Sequence, residues 1–209
     1  SRERGEYELG LEYIERALKY YPNNLYILYS QAMVYENMGE INKAVALLEQ
    51  ILIDYPHESE SYNGLGYVLA DNNLRLDEAV VLIERALAMS PNSSHIQDSY
   101  GWLNFRLGNL QLAQDYLEMA WSKEKLAEVA AHLADVHYQL GDTEKAFDYL
   151  QKGYEVNPDD IALQKTIERL GYEPIEPPQV EQQDNEPEIG DDSDEVTETT
   201  EINNELDKE

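Results

Sequence analysis

His95, His132 and His137 invite a metal reading, because His132 and His137 with Asp135 lie within six residues of one another and imidazole with carboxylate is a common ligand set. On a helix the spacing that lets two histidines grip one ion is i, i+4, whereas His132 and His137 stand five apart and face different sides. The chain holds no cysteine, which excludes disulfides, thiol catalysis and thiolate metal sites. No glycine-rich phosphate loop, nucleophile elbow or paired acid in a polar pocket occurs. Asp77, Glu78 and Asp142 stand near helix starts, where negative charge complements the dipole. These residues assign no catalytic group, no metal and no cofactor, and the chain is not expected to be an enzyme. The chemistry that remains is recognition. Tyr29, Met33, Tyr67, Trp102, Phe105 and Tyr138 are side chains able to anchor a peptide or helix by burial.

Recognition needs a frame, and the stretch from Ser61 to Lys123 supplies it. Gly66 sits in Leu65-Gly66-Tyr67 and Gly101, 35 residues later, in Tyr100-Gly101-Trp102. Ala79 and Ala113 follow those glycines by 13 and 12 residues, and Ala86 and Ala120 each come seven residues after that. Upstream, Gly39, Ala44 and Pro56 keep the spacing, as do Ala134, Gly141, Ala146, Gly153 and Pro158 downstream. Pro22 to Pro56 is 34 residues and Pro56 to Pro91 is 35.

Each small residue has a physical role in a helix-turn-helix unit. Gly66 and Gly101 are expected to face Ala79 and Ala113 where two helices cross closely, since a larger side chain would hold the backbones apart. Gly39, Gly108 and Gly141 follow helices, where a left-handed residue ends them cheaply. The turn Asp71-Asn72-Asn73-Leu74-Arg75 lacks that glycine, but asparagine tolerates the same conformation. Prolines 22, 56, 91 and 158 cannot continue a helix and punctuate the units.

The spacing predicts an all-α chain. Residues 1–24 form a partial unit with one helix over Gly5 to Tyr21, four full units occupy 25–58, 59–93, 94–126 and 127–158, and a capping helix fills 159–171. From Glu173 onward there are 15 acidic residues against one lysine, and four of the eight prolines. Residues 172–209 therefore read as a disordered acidic tail, either solubilising or a lure for a basic partner. Because Ser1 is no initiator methionine and the first unit lacks its first helix, the sequence reads as a fragment. The net charge of -28 argues against nucleic acid and anionic membrane as partners, since both demand a basic face. No run approaches the roughly 20 apolar residues of a membrane span.

A period near 34 with these glycines, alanines and prolines resembles the tetratricopeptide repeat family over Gly5 to Pro158. The resemblance implies a right-handed superhelix of antiparallel helix pairs whose first helices line a concave groove. It places Tyr29, Met33 and Glu36, then Asn63, Tyr67 and Ala70, then Asp98, Trp102 and Phe105, then Ala131, Asp135 and Tyr138 in that groove. Arg106 is the one cation there. Trp102 and Phe105 have two readings: anchors for a partner, or packing between neighbouring first helices. The lysine, arginine and asparagine clamp with which some members hold a chaperone's C-terminal carboxylate is absent.

Asn63 to Asp71, Asp98 to Trp102 and Ala130 to Leu133 further resemble the C-terminal repeats of proteobacterial outer-membrane-associated tetratricopeptide lipoproteins, some of them adaptors for a carboxyl-terminal processing protease. That likeness implies a periplasmic, outer-membrane-anchored protein, with a cytoplasmic location the alternative. The function expected is a scaffold binding a protein or peptide in its groove. The other reading is an assembly module whose repeat ends stack in homodimers or on further repeats, through Tyr13 and Ile14.

Overall fold

The computed structural model describes residues 2–175, with side chains from residue 4, and residues 176–209 of the expected tail lie outside it. Ten α-helices and no strand occur among the described residues: α1 (Arg2–Tyr20), α2 (Leu25–Asn37), α3 (Ile41–Asp54), α4 (Ser59–Asp71), α5 (Leu76–Met89), α6 (Ser94–Arg106), α7 (Leu110–Lys123), α8 (Ala127–Gln139), α9 (Thr143–Val156) and α10 (Ile161–Leu170). Helices α2 with α3, α4 with α5, α6 with α7 and α8 with α9 pack as hairpins, and each second helix also touches the next first helix. Helix α10 lies against α8 and α9, where the first helix of a further unit would sit.

The helix ends follow from single residues. Asn24, Ser93, Asp142 and Asp160 accept backbone N–H bonds from Ile27, Ile96, Lys145 and Leu163, supplying partners the first turn lacks. The Asp160 cap also explains why α10 begins two residues later than the sequence suggests. Gly39, Gly108 and Gly141 close the other ends at φ of 76°, 82° and 84°.

In the turn without glycine, Asn73 takes φ 54° as expected, but Arg75 does so too, at 41°. A side chain there costs about 1–2 kcal/mol, and the guanidinium is tied to Glu49 at 2.9 Å and Glu78 at 3.0 Å. Those pairs are exposed and contribute little. Arg75→Gly is therefore expected to be as stable as wild type or slightly more so. Arg75→Ala, which keeps the strain and loses the pairs, should be less stable than Arg75→Gly by about 1 kcal/mol in urea unfolding.

The close crossings occur: Gly101 approaches Ala113 as expected and also Leu117 one turn on, whereas Gly66 meets Leu82 and Ile83 in place of Ala79. A Cβ on Gly66 would meet Ile83 at 2.6 Å, and one on Gly101 would meet Leu117 at 2.6 Å and the carbonyl oxygen of Ala113 at 3.1 Å. Ala79, Ala86, Ala113, Ala120 and Ala146 are fully buried, so the small residues let helices approach along a shared spine. Tyr172 to Ile175, assigned by sequence to the tail, are docked on α9. The Tyr172 hydroxyl and the Ile175 N–H both donate to Gln151 Oε1, at 2.8 and 2.9 Å, and the Tyr172 ring lies 5.0 Å from that of Phe147.

Candidate functional site

Successive first helices are joined by polar contacts that run through the residues predicted for the groove. The Asn72 amide donates to Glu36 at 2.8 Å, linking α4 to α2. Trp102 Nε1–H donates to Asp71 at 2.9 Å, linking α6 to α4. His132 and Asp98 meet at 2.9 Å between α8 and α6, and Arg169 of α10 donates to Asp135 of α8. One contact skips a unit: the Tyr67 hydroxyl on α4 donates to Glu128 on α8 at 2.6 Å.

These contacts redistribute the expected anchors. Trp102 is not an open platform: it is 7% exposed, stacked on His132 with ring centroids 4.1 Å apart and on Phe105 at 4.9 Å. The Arg106 guanidinium lies 5.8 Å from its ring centre. Asn63 and Asp98 are also buried. The physical reason is a wall tight enough that Asp98 needs its counter-ion and the indole N–H an acceptor, and neighbouring first helices supply both. Tyr29, Met33, Tyr67, Phe105 and Arg106 are half-buried, and Tyr138 is exposed.

His132 and His137 part as their spacing requires, the second stacking on Tyr149 at 5.4 Å. The cluster that forms instead is Asp98, Glu128 and His132, whose ligand-capable atoms lie within 4.8 Å of one another. A divalent ion held there would have to displace a proton that His132 keeps firmly. Burial alone would lower the His132 pKa, but the Asp98 carboxylate beside it, with Glu128 and Asp71 further off, raises it to about 9. The group is an imidazolium between carboxylates, stacked on an indole, and its contribution is structural cation–π and ion-pair attraction.

Glu36 is pushed in the same direction for a different reason. Burial first, then the charges of Asp71 and Glu128, raise it to about 7 against the opposing Asn72 N–H and Lys165. Burial likewise raises Glu60, Glu128 and Asp135. Both effects have one sign in stability. The folded state holds the Glu36 proton more tightly than the unfolded chain, so stability falls as pH rises from 4.5 to about 7. The His132 contribution is complete below 6.5 and lost as pH rises through about 9. Thermal unfolding midpoints should therefore decline across the whole range, with His132→Gln flattening the upper part and Glu36→Gln the lower.

Sequence reasoning passed over Glu128, His132, Asp71, Lys165 and Arg169 as inner-face groups. A signal was available, because Asp98 and His132, like Asp135 and Arg169, stand 34 residues apart, one repeat period. Searching for opposite charges at that separation finds both pairs.

Two family descriptions of the tetratricopeptide repeat match the chain, over residues 1–65 and 127–160. A TPR repeat-containing protein of Pseudomonas aeruginosa is 36% identical over 128 residues, 61% of this chain. Another from Methanocaldococcus jannaschii is 28% identical over 127 residues. In each case the match spans 22% of the relative's length. Among solved structures, a thermophilic TPR protein of Thermus thermophilus superposes with a TM-score of 0.66 at 23% identity, covering 81% of this chain and 92% of that one. A tetratricopeptide repeat protein of Parabacteroides merdae does so with a TM-score of 0.59 at 19% identity, covering 81% and 66%. At those identities the structural likeness is one of fold.

Proposed function

We propose that this chain, which belongs to the tetratricopeptide repeat family, is an adaptor that takes a peptide or helix of another protein along the inner face formed by α2, α4, α6 and α8. Repeats of this kind serve in general as protein–protein interaction modules and as scaffolds rather than enzymes. The observation that carries the finer reading is the state of that wall. Its framework is locked by Asp98, His132, Trp102 and Asp71, so the surface is formed before a partner arrives. Tyr29, Met33, Tyr67, Phe105 and Tyr138 keep part of their apolar surface uncovered upon it.

Photo-cross-linking tests this. A photoreactive phenylalanine in place of Met33 or Tyr138 should give adducts with a partner protein in the producing cell. The same residue in place of Val81, 66% exposed on the second helix α5, should give none. Adducts at Val81 alone would overturn the reading. On the lipoprotein resemblance, the reading also places the full-length protein in the periplasm at the outer membrane, which cell fractionation checks. Among the described residues no helix is long and apolar enough to cross a membrane.

The assembly reading has its own supporting observation: Leu9 and Tyr13 on α1 are 50% and 58% exposed. End stacking through them predicts dimers in sedimentation that disappear in Tyr13→Ser/Ile14→Ser. A monomer at all concentrations rules it out.

A further inference from the structure

Glu36, Asp71 and Glu128 come from three different first helices, and each is positioned by a neutral donor: the Asn72 amide, the Trp102 indole and the Tyr67 hydroxyl. None of the three is in an ion pair among the described residues, although most carboxylates this far from open water are paired. They feel one another's charge, since Asp71 and Glu128 both act to raise Glu36 after burial. The cations that oppose this are Lys165, which acts on Glu36 without bonding to it, and His132, which is engaged by Asp98.

A separate observation points the same way. The Asn63 side chain is 3% exposed and its carbonyl oxygen has no partner. Asn63, Tyr67 and Asp71 follow at four-residue steps, one stripe of α4, and the other two members of that stripe reach Glu128 and Trp102. The stripe thus sets a bare buried acceptor on the side of α4 that carries Tyr67 and Asp71. Acceptors outnumber donors here, and the rings of Tyr29 and Tyr67 lie beside them, both with hydroxyls whose pKa burial and then the Glu128 charge raise.

We infer that this stretch of the inner face is the seat for a lysine or arginine side chain of the bound partner, received by Glu36, Asp71 and Glu128 with Asn63 Oδ1 as a further acceptor. A guanidinium or ammonium supplies several N–H donors at once, matches the negative charge and lies favourably against tyrosine faces. The inference rests on the peptide-binding reading above and specifies its partner as basic at this point.

The test is calorimetric titration of the full chain with three dodecapeptides of identical leucine spacing, whose intervening positions are lysine, glutamine or glutamate. The lysine peptide is expected to bind about tenfold or more tightly than the glutamine peptide, as desolvated charge pairs do. Glu36→Gln/Glu128→Gln should abolish that preference, and Glu36→Gln alone should reduce it. Equal binding of lysine and glutamine peptides to wild type would overturn the inference and leave the peptide-binding reading standing. A lysine preference that survives in the double variant would overturn it as well, assigning the effect to overall negative charge. Binding of none of the three would remove the peptide-binding reading and the inference with it. Tight uptake of Zn²⁺ lost in the double variant, without a lysine preference, would replace the side-chain seat by a metal site.

Discussion

Asp98→Ala should destabilise the folded repeats by about 3–5 kcal/mol, the usual consequence of removing one member of a buried charge pair. The two side chains are 8% and 4% exposed, and the partner left behind is a protonated His132 wedged against Trp102. Without Asp98 the imidazolium must either stay charged in a dry site or lose its proton against a pKa now set by burial. Either course costs free energy. Asp98→Asn keeps an acceptor for the ring N–H and should lose less. The measurement is urea unfolding at pH 7, with an unchanged slope confirming that the folded state still buries the same surface. A loss below about 1 kcal/mol, the range of exposed pairs, would mean that water reaches this contact and that the wall is not locked.

The second large effect concerns a glycine. In an isolated helix Gly→Ala stabilises by about 1 kcal/mol, so the sign of the change reports packing. At Gly10 in α1 nothing lies within 4 Å of an added Cβ, and Gly10→Ala should follow the propensity. At Gly101 a Cβ would sit 2.6 Å from Leu117 and 3.1 Å from a backbone oxygen of Ala113, which cannot move without shifting α7. Gly101→Ala should therefore destabilise despite its better propensity, and Gly101→Val should cost about 1–3 kcal/mol or more. A stabilising Gly101→Ala would show that α6 and α7 have room to spare. The shared spine of small residues would then lose its role.

These two sites mark where sequence reading succeeds and where it stops. Gly66 and Gly101 were legible because a repeat multiplies the signal: the same small residue at the same spacing excludes chance, and close helix packing gives it a cause. The middle units are the instructive case. Both family descriptions leave residues 66–126 between their matches, yet the glycine and alanine spacing locates the hairpins there. Gly101 meets Ala113 as its spacing predicts, while Gly66 meets Ile83 one turn beyond Ala79, because ridges and grooves set the meeting point and sequence spacing alone does not.

The inner wall was less legible. Position within the repeat indicates which residues face inward, but not how close the next first helix stands. That separation decides whether Trp102 is an open anchor or a buried layer between His132 and Phe105. Glu128 was invisible for a similar reason: it bonds Tyr67 across 61 residues, a consequence of superhelix curvature that no periodicity encodes. Arg169 and Lys165 lie in the segment 159–171 that the spacing assigns to a cap, although α10 occupies the place of a first helix and packs on α8.

The chain's two tryptophans allow the central claim, that partners bind the inner face, to be tested in one spectrum. Trp102 Nε1–H donates to Asp71 on that face, whereas Trp121 lies on α7 with Tyr149 at its edge and Lys125 over its ring. In a ¹H–¹⁵N spectrum of the full chain titrated with its cross-linked partner segment, the Trp102 indole resonance should move while that of Trp121 stays in place. A titration that shifts Trp121 and leaves Trp102 unmoved would place the partner on the outer helices and contradict the account.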